Sequence, residues 1–335
     1  MSRLPLPRHH VPNALGLGLL LLALLALLAA GSGAVTIPYW KIPSLLLAEP
    51  ADAPSQLWRS VLLDVRLPRI VLALVSGAAL SLAGCVLQAV FRNPLAEPGL
   101  IGASAGAALG GALARWLLPS LALAPAAFAG SLAATWLAWL IGRGQDAARL
   151  LLAGVAINAM AGGGLALLSQ LVDDAVLRGT TLWALGSLAA ASWQTLAWLA
   201  PALLACALLL WRDRRALDAL LLGEREAWHL GYELAGLRRR LVALTALTVA
   251  LTVSACGALA FVGLLAPHLA RLLLGPGHRT LLPGAAIVGA ASLLAADWLA
   301  RLAMQPAELP LGAVLSVAGA PVFLFLLVKT RQLSN

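Results

Sequence analysis

The stretch Gln88–Gly106, QAVFRNPLAEPGLIGASAG, lies between two long apolar runs and decides how this chain must fold. It contains Arg92, Asn93, Glu97, two prolines and several glycines, all of which an uninterrupted membrane helix avoids. Proline lacks a backbone donor and disfavours the helical conformation of the residue before it, so the helix must break here. Irregular backbone at membrane depth survives only where it is buried in protein or lines a water-filled path. The stretch is therefore predicted to be a turn at the membrane surface or part of a gate.

The composition indicates an integral membrane protein. Hydrophobic residues make up 61% of the chain and charged residues 11%, whereas soluble domains carry about 25% charged residues. The net charge of +9 comes from short basic clusters scattered between apolar runs. Such clusters are typical of topology determinants, so no nucleic-acid partner is expected. The three cysteines each lie inside an apolar run without metal-site spacing, and no metal site is expected.

The apolar runs predict an all-α membrane protein with ten spans, because a crossing helix needs about 20 apolar residues. No linker of biased composition divides the chain, so residues 1–335 are expected to form one transmembrane domain. The eighth span is too short to cross alone. The predicted spans are 14–33, 68–91, 98–117, 121–141, 148–170, 194–211, 239–260, 263–275, 283–303 and 310–328.

The distribution of lysine and arginine predicts the orientation, because cytoplasmic loops carry an excess of both. With ten spans and the N-terminus inside, the inner loops receive most of the 23 basic residues. The opposite orientation would invert this bias. Both termini are therefore predicted to be cytoplasmic, and the charged stretch 213–237 is predicted to be a cytoplasmic helical loop.

Two spans lead into similar interruptions. The second runs into FRNPLAEPGLIG and the seventh into FVGLLAPHLARLLLG, each broken by glycine and proline. Broken segments at corresponding places in two halves of a chain indicate an internal repeat of the kind found in transporters.

The sequence lacks the motif of a nucleotide-hydrolysing enzyme and has no apparent catalytic residue. A P-loop needs a lysine directly after a glycine, and neither Lys41 nor Lys329, the two lysines present, follows one. A proton-coupled carrier is the alternative, but it would need a carboxylate near the membrane midplane. Glu97 is the nearest candidate, and its place among prolines at a helix end argues against that role. Energy is therefore expected to come from a separate protein.

The loop 213–237 has the pattern of a docking helix for a soluble partner. Leu217 and Leu220–Leu222 are apolar, Gly223 interrupts the run, and charged residues follow. A short apolar segment followed by a turn and charged residues is suited to bind in a groove on another protein. The alternative is an amphipathic helix that lies on the lipid surface.

Five segments resemble, in matching order, the permease subunit of type II bacterial ABC importers, the FecCD-like family that takes up iron–siderophores, haem and vitamin B12. The resemblance covers the chain from about Arg66 to Lys329, and its combination of NPLAEPG, FVGL-PH and ELP-G-GAP-F is specific. The segments are RLPRIVLALVSGAALSLAGCVLQAVFRNPLAEPGLIGASAGA, LLLAGVAIN, LDALLLGEREAWHLG, GALAFVGLLAPHLARLLLGPGHRTLLPGAAIVGA and AELPLGAVLSVAGAPVFLFLLVK.

The resemblance implies ten helices per subunit and a homodimer in the bacterial inner membrane, with the transport path at the dimer axis. It implies two soluble ATPase subunits at the cytoplasmic face, which would hold ATP and Mg²⁺, and a periplasmic binding protein at the outer face. No cofactor is implied in this chain.

The resemblance also assigns roles to individual residues. Arg66, Arg69 and Arg301 would lie on the outer rim and meet acidic residues of the binding protein, which also explains positive charge on the outer side. Their alternative role is to anchor helix ends at the membrane interface. The cytoplasmic gates would be Asn93, Leu95, Ala147 and Ala148. The coupling helix seated on the ATPase would be Leu221, Leu222, Gly223, Glu224, Arg225 and Glu226.

Two histidines bear on the cargo. His268 and His278 flank the eighth span, and imidazole can ligate haem iron. The alternative is that both belong to the family pattern whatever the substrate, and His278 falls in a predicted cytoplasmic loop. Overall similarity favours haem as the cargo, with vitamin B12 and ferric siderophores as alternatives.

Overall fold

The computed structural model describes residues 11–50, 52–118, 120, 122–142, 147–172, 174–304 and 308–332. Within these ranges every regular element is helical, as the composition predicts. The α-helices are α1 (Val11–Gly31), α2 (Ile42–Leu47), α3 (Ala53–Ser60), α4 (Leu67–Val90), α5 (Ala103–Leu117), α6 (Leu123–Ile141), α7 (Ala147–Leu168), α8 (Asp174–Ala184), α9 (Trp193–Arg212), α10 (Arg214–Leu222), α11 (Glu224–His229), α12 (Leu234–Cys256), α13 (Val262–Leu274), α14 (His278–Ala303) and α15 (Leu311–Gln332).

Seven of the described helical stretches are long and apolar enough to cross a membrane. They are Pro12–Gly31, Ala53–Val90, Leu123–Ile141, Arg149–Leu168, Trp193–Arg212, Leu234–Cys256 and His278–Ala303. The stretch Ala53–Val90 is continuous because a π-helical turn, Val61–Arg66, joins α3 to α4. A helix lies at each of the ten predicted spans, but α5, α13 and α15 fall short of this criterion. The count of ten crossings therefore stays a prediction.

Helix α4 forms the centre of the chain and most of its residues are buried. It packs against α9, α12, α13 and α14. Glycines allow the closest approaches: a Cβ on Gly77 would overlap the carbonyl of Gly289 in α14, and one on Gly84 would overlap that of Gly263 in α13. Small residues that let backbones touch are how membrane helices associate.

Helix α12 ends inside the membrane. The Sγ of Cys256, its last residue, lies 3.5 Å from the Oγ of Ser76 on α4. Gly263, at the start of α13, contacts Gly84 of α4. At 1.5 Å per residue, these two α4 positions lie about 14 Å and about 9 Å from the nearer ends of that helix. The break at 257–261 is therefore at membrane depth.

The segment after α4 also returns to membrane depth. It first turns at Arg92, whose φ of 47° lies in the left-handed region. It then runs back until Pro98 packs against Gly263, which contacts Leu80 and Gly84 of α4. The sequence offered a surface turn or a gate, and the structure has a turn followed by a re-entrant stretch. The two broken segments meet at this point.

The glycine contacts of α4 predict a sharp contrast between two alanine substitutions. Gly84→Ala is expected to lower the melting temperature strongly, because overpacking a tight core costs about 1–3 kcal/mol. Gly16→Ala lies in α1, where an added Cβ has open space, and is expected to raise stability slightly, because alanine favours the helix more than glycine does. Thermal unfolding of both variants in detergent checks this, and equal melting temperatures would contradict the packing described.

Candidate transport gate and coupling surface

The carboxylate of Glu97 joins the two broken segments. The backbone N–H of Phe261 donates to Glu97 Oε1 at 2.9 Å. Phe261 has a φ of 65°, in the left-handed region that a bulky residue rarely adopts. Its amide precedes the first turn of α13 and has no helical partner, so the carboxylate supplies the acceptor that lipid cannot. A cavity of about 200 Å³ lies beside this contact.

Gln88, near the end of α4, makes a second bridge to α13. Its Nε2 donates to the carbonyl oxygen of Leu264 at 3.4 Å, and its Oε1 accepts from Arg271 Nη2 at 2.9 Å. The amide is therefore used at both ends. Together with the hydrogen bond between Glu97 and Phe261, Gln88 connects the start of the re-entrant stretch to α13.

The predicted gate residues Asn93 and Leu95 lie at the tip of the turn. Asn93 Oδ1 accepts from the backbone N–H of Leu95 at 2.9 Å, which closes an Asx turn. The N–H of Asn93 donates to the carbonyl of Gln88 at 3.1 Å. The side chain of Leu95 is left exposed. The turn is thus held from within and presents an apolar residue outward.

Helix α7 supports the re-entrant stretch from the other side. Asn158 Nδ2 donates to the carbonyl oxygen of Gly99 at 3.1 Å, and Gly154 packs against the carbonyl of Leu100. Ala147 and Ala148, the other predicted gate residues, begin this helix. Their side chains lie outside the described part of the chain, so their gating role stays a prediction.

The predicted coupling segment forms two short helices, α10 and α11, separated by Gly223. Gly223 has a φ of 131°, which its lack of a side chain permits. Leu217 and Leu220 face inward and are buried, whereas Leu221 and Leu222 are exposed, the latter by 69%. One face of this segment therefore packs against the protein, and the other face is exposed. Arg225 and Glu226 belong to the exposed face.

Three acidic residues attach this coupling surface, defined as α10 and α11, to the helices around it. Glu224 pairs with Arg238 of α12 at 2.7 Å and lies 3.8 Å from Arg92 of the turn 92–95, the gate turn. The carboxylates that reach α12 and α14 are Asp213, 2.6 Å from Arg240, and Asp218, 2.8 Å from His278. The coupling surface therefore contacts the gate turn and two long helices at once.

The two histidines lie in different surroundings. His278 is buried, and both its Nδ1 and its backbone N–H lie 2.8 Å from Asp218 Oδ1. The ring of His268 is half-buried and meets Phe323 edge-on at 6.2 Å. Each ring has a buried Nε2 without a hydrogen-bond partner among the described residues. Contact with haem stays a prediction for both.

Of the predicted docking arginines, Arg69 and Arg301 share a buried ion-pair network at the other end of the molecule, and Arg66 is buried near them. Arg69 donates to Asp297 at 2.8 Å and binds both oxygens of Glu308, at 2.7 and 2.9 Å. Arg301 contacts the second oxygen of Asp297 at 3.1 Å. Arg66 donates to the carbonyls of Ala30 and Val35. All three guanidinium groups are thus engaged inside the chain, and their docking role stays a prediction.

Sequence reasoning did not assign several residues that the structure brings into these sites. Gln88, Asn158, Asp213 and Asp218 all act as bridges, and none stands in a local motif that names its partner. The pair Asp297–Arg301 is the exception, because i,i+4 spacing on a helix places the two side chains together.

These contacts define the class of protein, a helical membrane permease. Its interrupted helices meet at membrane depth, and the turn beside them contacts the coupling surface at one end of the molecule. The chain belongs to the FecCD transport family, whose model matches residues 20–329. It is 42% identical over 327 residues to the hemin transport system permease protein HmuU of Yersinia pestis, covering 95% of this chain and 96% of that protein. It is 40% identical over 319 residues to the vitamin B12 import system permease protein BtuC of Shigella boydii, covering 94% of each.

A solved structure supports the same assignment. It is described as an inward-facing conformation of a metal-chelate type ABC transporter and matches with a TM-score of 0.85. The match is 32% identical and covers 95% of this chain and 99% of that one. The fold expected from the resemblance is therefore confirmed as an all-helical permease fold.

The role of Glu97 is tested by comparing two substitutions. Glu97→Gln keeps a side-chain oxygen that accepts from Phe261, so transport is expected to remain near the wild-type rate. Glu97→Ala leaves a buried amide without an acceptor, which costs about 1–3 kcal/mol, and transport and melting temperature are expected to fall. Uptake in reconstituted vesicles measures both. Equal loss of transport in both variants would show that the charge of Glu97 is needed, as in a proton-coupled carrier.

The buried network predicts a large stability effect at Asp297. This carboxylate has no exposed surface and pairs with two arginines, so Asp297→Asn is expected to destabilise the chain by about 3–5 kcal/mol. Glu49→Gln is the matched control, because Glu49 is 87% exposed where it pairs with Arg59, and little change is expected. Thermal unfolding checks both, and a melting temperature for Asp297→Asn as high as that of the control would refute the network's structural role.

Proposed function

We propose that this chain is the permease subunit of an ATP-driven importer that passes haem from the periplasm to the cytoplasm. It works as a homodimer of ten-helix subunits in the bacterial inner membrane, with both termini in the cytoplasm. The proposal rests on the coupling surface. Leu221 and Leu222 are exposed there, and Glu224 beside them pairs with Arg92 of the gate turn and with Arg238 of α12. The chain itself has no nucleotide-binding motif, so a separate ATPase would supply the work.

The mechanism follows from the attachments of this surface. ATP binding draws two ATPase subunits together, and α10 and α11, seated on them, are displaced. Glu224 passes this displacement to Arg92 and Arg238, and hence to the gate turn and α12. The apolar seal at Asn93, Leu95, Ala147 and Ala148 then changes its width. Because the re-entrant stretch is tied to α13 through Glu97, both broken segments move with the turn.

The cargo assignment rests on similarity. The 42% identity with the hemin permease extends over nearly the whole chain and favours haem, while the 40% identity with the vitamin B12 permease makes cobalamin the alternative. Ferric siderophores are a further alternative within the family. Haem contact by His268 or His278 stays part of the proposal, since each ring has a buried Nε2 without a hydrogen-bond partner among the described residues.

A periplasmic binding protein is the proposed donor of the cargo. The end of the chain that would face it carries Arg66, Arg69 and Arg301 against two carboxylates, Asp297 and Glu308, so the network keeps a net positive charge. Positive charge at this end would orient a partner with acidic lobes and raise its rate of association.

Reconstituted uptake tests the proposal. Vesicles that contain this chain and its ATPase are supplied with binding protein, haem and internal ATP, and haem uptake is expected to require ATP. Cobalamin and a ferric siderophore are tested in parallel. Uptake driven by a proton gradient without the ATPase would refute the importer mechanism, and ATP-driven uptake of cobalamin but not haem would refute the cargo alone.

The coupling surface predicts a separation of folding from transport. Leu222→Asp is expected to leave the melting temperature unchanged, because the side chain is exposed, but to abolish ATPase binding and uptake. Leu47→Asp is the control, since Leu47 is 88% exposed near the opposite end of α4, and it is expected to keep ATPase binding. Co-purification of the ATPase measures this, and binding retained by Leu222→Asp would place the coupling surface elsewhere.

A further inference from the structure

A groove of about 990 Å³ runs along the outside of the chain between α6 and α12. Its walls are apolar over most of their length. Helix α6 contributes two tryptophans and leucines, and α12 contributes valine and alanines; the largest are Trp136, Trp139, Leu132, Leu140 and Val242. Both helices are candidate membrane spans. The groove therefore lies where lipid surrounds the protein.

One end of the groove is basic. Arg239 lines it and also lines an adjoining hollow of about 520 Å³ near the start of α12. Its neighbours are committed, since Arg238 pairs with Glu224 and Arg240 with Asp213. Arg239 is exposed and has no hydrogen-bond or ion-pair partner within the described residues. The guanidinium group of Arg239, unpaired within the described residues, therefore lies at one end of the apolar groove.

The carboxylate in this region does not neutralise that charge. Glu233 accepts from the backbone N–H of Gly236 with both oxygens, at 2.9 and 2.7 Å, and so caps the start of α12. A carboxylate at this position is held by the unpaired amides and the positive end of the helix dipole. Within the described residues the arginine has no carboxylate partner, so it can bind an anion from outside the chain.

The depth of these groups matches a phospholipid. Trp136 and Trp139 lie within the last two turns of α6, and tryptophan favours the boundary between headgroups and acyl chains. Arg239 lies about 7–8 Å along α12 from its first residue, at the same end. The groove therefore begins at headgroup level and continues into the hydrocarbon. An apolar groove with a basic mouth between membrane helices is suited to an anionic lipid.

We propose that this groove binds an anionic phospholipid, with one acyl chain between α6 and α12 and the headgroup phosphate at Arg239. Within the described part of the chain, none of the predicted gate residues lines this groove. It adjoins the coupling surface, because Arg238 and Arg240 on either side of Arg239 hold Glu224 and Asp213. A bound lipid would therefore stabilise the part of α12 that pairs with Glu224 and Asp213.

Lipid retention measured by native mass spectrometry tests this on the full chain. The protein is purified in neutral detergent with dioleoyl phosphatidylglycerol or dioleoyl phosphatidylcholine. Wild type is expected to retain phosphatidylglycerol preferentially and to melt at a higher temperature with it. Arg239→Ala is expected to weaken retention about fivefold, the effect of one cation near the membrane surface. Ala243→Trp fills the groove without changing charge and is expected to weaken retention of both lipids.

Arg212→Ala is the matched control, because this arginine is exposed at the same end of the molecule but outside the groove. It is expected to retain phosphatidylglycerol as wild type does. Equal retention by wild type and Arg239→Ala, or equal loss in Arg212→Ala, would overturn the proposal. It would also be overturned if Ala243→Trp dissociated a dimer while leaving lipid retention intact, since the groove would then be an interface between copies.

Discussion

Backbone amides inside a bilayer need acceptors, and the interruption between α12 and α13 leaves one at Phe261 without a helical partner. Glu97 meets this need at 2.9 Å, and the arrangement of the whole chain depends on it. The carboxylate comes from a second interruption, so each broken segment fixes the other. A proline-rich re-entrant stretch and a left-handed phenylalanine would each be unstable alone at this depth. Together they form a joined unit inside a helical scaffold.

These joined segments are connected by side-chain contacts to the end of the molecule at which a partner would bind. Gln88 fixes α4 to α13 directly below the break, and the turn at Arg92 approaches Glu224 of the coupling surface. The scaffold around the route is stiff because glycines bring α4 into backbone contact with α13 and α14. In the proposed mechanism, a displacement at α10 and α11 would therefore be passed to the turn rather than absorbed by loose packing.

Local patterns were sufficient for the helices and the interruptions, since proline and glycine act on their own neighbours. They were also sufficient for the interruption at Gly223, which separates α10 from α11, while the coupling role of this segment stays a prediction. The partners of charged residues were beyond such patterns. Glu97 and Phe261 are 164 positions apart, and Arg69 and Asp297 are 228 apart, so tertiary packing alone brings them together. For the same reason the sequence alone does not show that Arg69 pairs with Asp297 or that Arg66 donates to the carbonyls of Ala30 and Val35.

We propose that the gate turn and the coupling surface move as one body during an ATP-driven cycle. Spin labels at Leu95 and Leu230, both exposed, measure the distance within a subunit, and labels at Leu95 alone measure the distance between the two copies of the proposed dimer. When the ATPases bind nucleotide, we expect the distance within a subunit to stay constant while the distance between copies changes. A constant Leu95–Leu95 distance through a cycle that transports cargo would contradict it.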